Sequence, residues 1–245
     1  MPRSSPPPSN LIMTTTRLMD HVRFLPWIGN RYDAGLCGAK TLILGESHYQ
    51  RGGKRFSRRL NIDLIRGQAD AKGPYTGRYP YWTKIIRLVS PKHADAHQFW
   101  HSVAYCNYIQ EFTGLTARTR PTRQMWQDAK EPFFEILSAL RPEFVLVLGR
   151  ALWRQMPEAP AVPGEDRDFY RQYLIGPHIA VAAATKHPSS FGFRYADWQP
   201  VVARGLKLAA RNAGRPRAGG RGNARSGLTS DTLRRRAVYN SRLPL

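Results

Sequence analysis

Cysteine is almost absent: Cys37 and Cys106 are the only two in 245 residues. Two thiolates cannot hold a four-cysteine iron–sulfur cluster or close a zinc tetrahedron unaided, and no disulfide framework follows from them. Acidic residues are also scarce, with 17 Asp and Glu against 38 Lys and Arg, which leaves a net charge of +21. Such an excess attracts polyanions at a distance and makes their binding salt-dependent, so nucleic acid leads the partner classes; an Arg-rich composition also fits a merely solvated surface. Long apolar runs are missing too. No stretch approaches the roughly 18 residues that a bilayer span requires, and the N-terminal MPRSSPPPSN lacks the apolar core of a secretory signal. The expected setting is the cytoplasm, beside the nucleoid if DNA is the partner, with no membrane involved.

What is present divides into three parts. Residues 1–12 are rich in Pro and Ser and are expected to be disordered. Residues 211–245 carry nine Arg and one Asp with few large apolar side chains; this basic tail cannot build a core and either adds nonspecific phosphate contacts or is an inert extension. Between them, residues 13–210 suit one domain, expected to be monomeric. Four apolar segments there read as buried parallel strands: Thr41 to Leu44, Ser102 to Cys106, Phe144 to Leu148 and Ile179 to Ala184. Helical patterns alternate with them. The clearest runs from Lys130 to Leu140 on a stripe of Phe133, Phe134, Ile136, Leu137 and Leu140 and stops before Pro142; others begin near Arg150 and at Trp198. Alternation of this kind predicts an α/β fold whose ligand site lies beyond the carboxyl ends of the strands.

At those ends the chain places GESHY (45–49), then Asn107 and Tyr108, then Gly149 and Arg150, then KHPSSF (186–191). In this order the motifs resemble those of the uracil-DNA glycosylase superfamily, in which an acid-containing turn, written GQDPYH or GEAPG, follows the first strand and an HPS turn follows the last. YPYWTKIIRLV (79–89) is similar to the family stretch RPFVGKAGQLL, with Pro80, Tyr81 and Lys84 in register with its proline, phenylalanine and lysine. The segment from Arg120 to Gly149 resembles the family's passage from an RxP turn through a helix to a strand ending in LG. The resemblance covers roughly residues 25 to 210. It departs at Ser47 and His48, which match neither version of the first motif, and in lacking the four cysteines of the cluster-bearing branches.

The resemblance implies a three-layer α/β/α domain around a four-stranded parallel sheet of order 2-1-3-4, and hydrolysis of the N-glycosidic bond of a flipped-out base, uracil or another deaminated base. No cofactor or metal is expected. It further implies that Glu46 stabilises the cationic sugar and directs water, and that neutral His187 donates to the carbonyl oxygen of the departing base. Asn107 would read the base edge, Tyr81 would stack on the base, and Tyr49 would exclude a 5-methyl group. Phe191 would wedge into the duplex beside Lys186. Arg51, Arg55, Arg58 and Arg59, from a basic stretch with interspersed aromatics, would grip the phosphates of duplex or single-stranded DNA.

Each residue also has a plainer role: Glu46 as a helix cap, His187 and Asn107 as turn formers, Tyr81 and Phe191 as core, and the arginines as a solvated face. Two other functions fit the pattern. One is the same fold without catalysis, binding nucleic acid. The other is an SGNH-like acyl hydrolase with Ser47, Asn107 and His187, although its orienting acid would belong at position 184, which is Ala. His93, His97 and His101 recur at helical spacing, but His101 is expected to open a strand, with no acid nearby to complete a metal site.

Overall fold

The computed structural model describes residues 19–50, 56–72, 76, 79–90, 95–116 and 118–213. The expectations for the first 12 residues and for most of the basic tail lie outside that set, as do Arg51, Arg55 and His93. Among the described residues the strands are β1 (Trp27–Ile28), β2 (Thr41–Gly45), β3 (Val103–Asn107), β4 (Phe144–Leu148), β5 (Tyr170–Ile175) and β6 (His178–Thr185). The helices are α1 (Leu60–Ala69), α2 (Pro80–Val89), α3 (Ala96–His101), α4 (Arg123–Asp128), α5 (Lys130–Leu140), α6 (Arg150–Gln155) and α7 (Tyr195–Ala213).

The fold is α/β, but the sheet corrects the expectation of four parallel strands: it is mixed and six-stranded, in the order β1-β3-β2-β4-β6-β5. The inner strands β3, β2, β4 and β6 pair in parallel, and β1 and β5 close the two edges in antiparallel fashion. Neither edge strand has a strong sequence signal. β1 is two residues long, and β5, YRQYLI, mixes polar and apolar residues because much of it is only half-buried. β5 is joined to β6 by a tight turn at Gly176, which takes φ 55°.

Strands β2, β3 and β4 are buried at every position, so both faces of the sheet are covered. Leu42, Leu44, Cys106, Val145 and Val147 face one core with Trp126, Phe133, Leu137 and Trp153. Ile43, Val103, Tyr105, Leu146 and Val181 face the other with Ile65, Trp82, Ile85, Trp100 and Leu206. The period-2 alternation of the strands thus assigns neighbouring residues to opposite helical layers. α5 ends at Arg141 in the left-handed conformation, with Pro142 barring continuation.

Two boundaries differ from expectation in ways that matter for chemistry. β3 runs one residue further, so Asn107 is the last strand residue and pairs in register with Gly45. His101 ends α3 instead of opening β3, because Asp95 caps that helix through the backbone N–H groups of His97 and Gln98.

Candidate functional site

The GESHY turn is built on a buried platform. As β2 ends, the Gly45 carbonyl accepts from the N–H of Tyr108 at 2.9 Å, that of Glu46 from Ile109 at 2.9 Å, and that of His48 from Thr113 at 3.0 Å. The segment after β3 is therefore zipped alongside the turn. Gly45 has no room for a side chain, since a Cβ there would lie 2.2 Å from Asn107 Oδ1 and 2.8 Å from the Tyr105 hydroxyl. This close approach is what lets Asn107 and Tyr105 reach the root of the Glu46 turn.

Glu46 leaves that turn with its carboxylate largely shielded. Oε1 accepts from Arg120 Nη1 at 2.8 Å, and among the described residues no group bonds the other oxygen. Burial pushes its pKa above the usual carboxylate range, with the charge and hydrogen bond of Arg120 pulling the other way. The group is ionisable, desolvated, and tethered on one side only.

His187 lies beyond β6 on the same edge of the sheet. Its ring stacks on Tyr81 at a centroid distance of 5.3 Å and 14° between planes. Nδ1 accepts the N–H of Ser189 at 3.1 Å, so the neutral ring carries its proton on Nε2. Burial, reinforced by Arg120 and Lys84, pushes its pKa below that of a free imidazole. The neutral ring is thus the form held at pH 7, with Nε2–H as donor. Lys84 fixes the turn from beneath by donating to the Pro188 carbonyl at 3.0 Å.

The Tyr81 hydroxyl ties the two halves together. Burial raises its pKa, the hydrogen bond with the Tyr105 hydroxyl pulls the other way, and the charges of Tyr49 and Glu46 add to the rise. Tyr105 in turn donates to Asn107 Oδ1 at 2.9 Å. That bond takes one lone pair of Oδ1, so Asn107, only 3% exposed, offers chiefly its Nδ2 donors. Glu46, Tyr49, Tyr81, Asn107 and His187 are therefore brought to one sheet edge.

The residues expected to meet nucleic acid are placed less uniformly. Phe191 is fully exposed at the tip of the loop after the HPS turn, which removes its reading as core. Lys186 directs Nζ toward Gly192 of the same loop, 3.5 Å from where a Cβ would sit. Arg58 donates to the Val22 carbonyl at 3.2 Å, and exposed Arg59 lies 3.9 Å from Asp63. Both therefore have protein partners as well as solvent.

Ser47 and His48 resolve differently. The hydrogen bond of Ser47 is to Thr113, at 3.5 Å, and among the described residues none joins it to His187, so the hydrolase pairing is not formed. His48 is buried, with Nε2 2.8 Å from Asn61 Oδ1 and its ring edge against Phe24. The Asn61 amide nitrogen donates to the Phe24 and Leu25 carbonyls at 3.2 Å, so its oxygen faces His48 and accepts from Nε2–H. Burial lowers the His48 pKa to about 4.

Arg120 and Tyr105 were not expected at the site. Arg120 opens the RPT segment that carries part of the sequence pattern, but its pairing with Glu46 spans 74 residues and has no local signal. Tyr105 sits two residues before Asn107 on the same strand face, which strand periodicity can reveal. At the far edge of the sheet the expectation that no acid joins the histidines is overturned: Asp70 lies 2.9 Å from His101 Nε2 and 3.1 Å from His97 Nδ1. No protein-family model matches the chain, and no curated protein is significantly similar to it.

Proposed function

We propose that the protein is a monofunctional DNA glycosylase that removes a deaminated base, uracil foremost, from DNA in the cytoplasm. The observation that carries this reading is the pairing of a shielded carboxylate with a neutral, Nε2-protonated imidazole at one sheet edge, without a direct bond between them. Base excision needs that arrangement. The glycosidic bond breaks with its electrons leaving on the base, so positive charge gathers on the sugar and negative charge on a base carbonyl. Glu46 faces the first charge, and the oxygen not held by Arg120 orients the water whose oxygen bonds to C1′. His187 Nε2–H donates to the carbonyl oxygen, a contribution of about 3 kcal/mol if it equals one oxyanion donor. The products are the free base and an abasic sugar.

Asn107 Nδ2 supplies a donor to the base edge, and Tyr49 bounds the pocket. One face of the Tyr81 ring is already covered by His187, so a base stacks on its other face or parts the two rings on entry. Phe191, exposed beside Lys186, fits the space a flipped base leaves in the stack. The net charge of +21 supplies the attraction for the backbone. A second reading, a noncatalytic nucleic-acid-binding module, is favoured by the Arg120 contact, which neutralises the carboxylate in the free protein.

Oligonucleotides carrying uracil, hypoxanthine, xanthine or an oxidised pyrimidine, single- and double-stranded and with EDTA present, separate the two. Release of one of these bases without strand cleavage is expected. Tight binding with no release from any of them supports the module, and a borohydride-trapped DNA adduct points to an amine nucleophile in place of Glu46 and water.

A further inference from the structure

At the amino edge of the sheet, α1 and α3 bring two imidazoles and a carboxylate onto one point. We propose that Asp70, His97 and His101 form a binding site for a zinc-class divalent metal ion that staples the end of α1 to α3. His97 and His101 stand four residues apart on α3 and so share a face. Asp70 follows the last residue of α1. The three donor atoms lie within 4.8 Å of one another, and Asp70 Oδ1 is 2.9 Å from His101 Nε2 and 3.1 Å from His97 Nδ1. In a tetrahedral zinc site with bonds near 2.0–2.1 Å, neighbouring donors stand about 3.3 Å apart. Small adjustments convert one geometry into the other.

The donor set and its surroundings fit the ion. Two imidazoles and one carboxylate are three of four tetrahedral ligands, which leaves a position for water. His101 and Asp70 are 11% and 23% exposed, which limits competition from solvent, and His97 at 58% gives the ion an approach. Protons must move for the ion to enter. His97 Nδ1 faces two acceptors, Asp70 Oδ1 and the Ala69 carbonyl at 3.3 Å, and therefore carries hydrogen in the free protein. His101 Nε2 does too, because Nδ1 faces the N–H of Asn30 at 3.5 Å. Binding sends the His97 proton to solvent-facing Nε2 and the His101 proton to Nδ1, at the cost of the long Asn30 contact. No net proton is released from neutral rings, and the ion takes over both hydrogen bonds to Asp70.

The test uses the full-length protein, stripped with chelator and titrated with zinc against a chromophoric competitor. One equivalent should bind more tightly than about 10 μM, and the melting temperature should rise with zinc. His97→Ala, at an exposed position, and Asp70→Asn should each weaken binding at least tenfold and abolish the melting shift while leaving the circular dichroism spectrum unchanged. His21→Ala, which removes the other described cluster of donors with Glu131 and Glu135, should change neither. Cobalt(II) in place of zinc should give a four-coordinate visible spectrum that His97→Ala loses. Equal zinc affinity in wild type and both cluster variants, loss of binding in His21→Ala alone, or no binding at 100 μM overturns the proposal.

Discussion

The two edges of the sheet each hold histidine and a carboxylate, wired in opposite ways. At the amino edge, Asp70 bonds both His97 and His101 directly; although burial pushes its pKa up, the His101 hydrogen bond and the two imidazoles hold it below the usual carboxylate range. At the carboxyl edge, Glu46 is tethered to Arg120 and His187 to Ser189 and Tyr81. Burial there favours the neutral form of both groups. A bonded pair satisfies itself and is ready only for an ion that replaces its protons. A pair held by other partners keeps a carboxylate oxygen and an imidazole N–H unbonded, as the proposed excision requires.

Substitutions at the two edges should therefore be read by different instruments. The largest contrast is between His187 and His97. His187→Ala should lower single-turnover excision by about 10²–10³, as for loss of an oxyanion donor, whereas His97→Ala should leave excision within about twofold. A comparable loss from both would dissolve the distinction between the edges.

His48 sharpens it next, for it lies two residues from Glu46 yet is wired like a structural group. Its folded pKa is about 4 against an ordinary 6.5. Above pH 6.5 neither state binds the proton; as pH falls through that value the unfolded chain takes it up and the folded chain does not. Stability should fall by about 3 kcal/mol between pH 6.5 and 4. His48→Gln, which keeps a donor for Asn61 but does not titrate, should flatten that part of the curve in denaturant melts at successive pH values.

Two glycines give the third comparison. A Cβ on Gly45 meets the side chains of Asn107 and Tyr105, whereas one on Gly29 meets the backbone of His101 at 2.2 Å. Backbone yields less readily. Gly29→Ala should cost the upper part of about 1–3 kcal/mol in stability, and Gly45→Ala less, while Gly45→Ala should lose more excision because it displaces Asn107. Thermal melts and excision rates on the same two proteins check this ordering.

The smallest effect belongs to Arg120. It pulls the pKa of Glu46 down and also lowers that of His187. Arg120→Ala should let both rise and move the acid limb of the excision profile to higher pH, by less than about one unit because the guanidinium is 59% exposed. A limb that moves to lower pH contradicts this placement of charge.

The legible parts of this molecule are those with a period or a punctuation mark. Buried strands such as FVLVL and the stripe of α5 announce themselves, and strand ends locate Glu46, Asn107 and His187 because parallel sheets expose ligand sites there. The edge strands carry little signal, since half-burial blurs their pattern and their pairing is set by contacts distant in sequence. The Asp70 cluster was hidden for a related reason. The sequence pattern places His101 at the start of a strand, whereas the Asp95 cap keeps it in helix, and its carboxylate partner lies 31 residues away. Arg120 on Glu46 is another long-range pairing of side chains that no local pattern encodes.

Glu46 is proposed to act on the transition state, and Glu46→Gln tests that role most directly. The substitution keeps size and hydrogen-bonding capacity and removes the charge. Single-turnover excision of uracil should fall by about 10² or more, with DNA affinity nearly unchanged. An excision rate equal to that of the wild type would contradict the account and leave GESHY a structural turn.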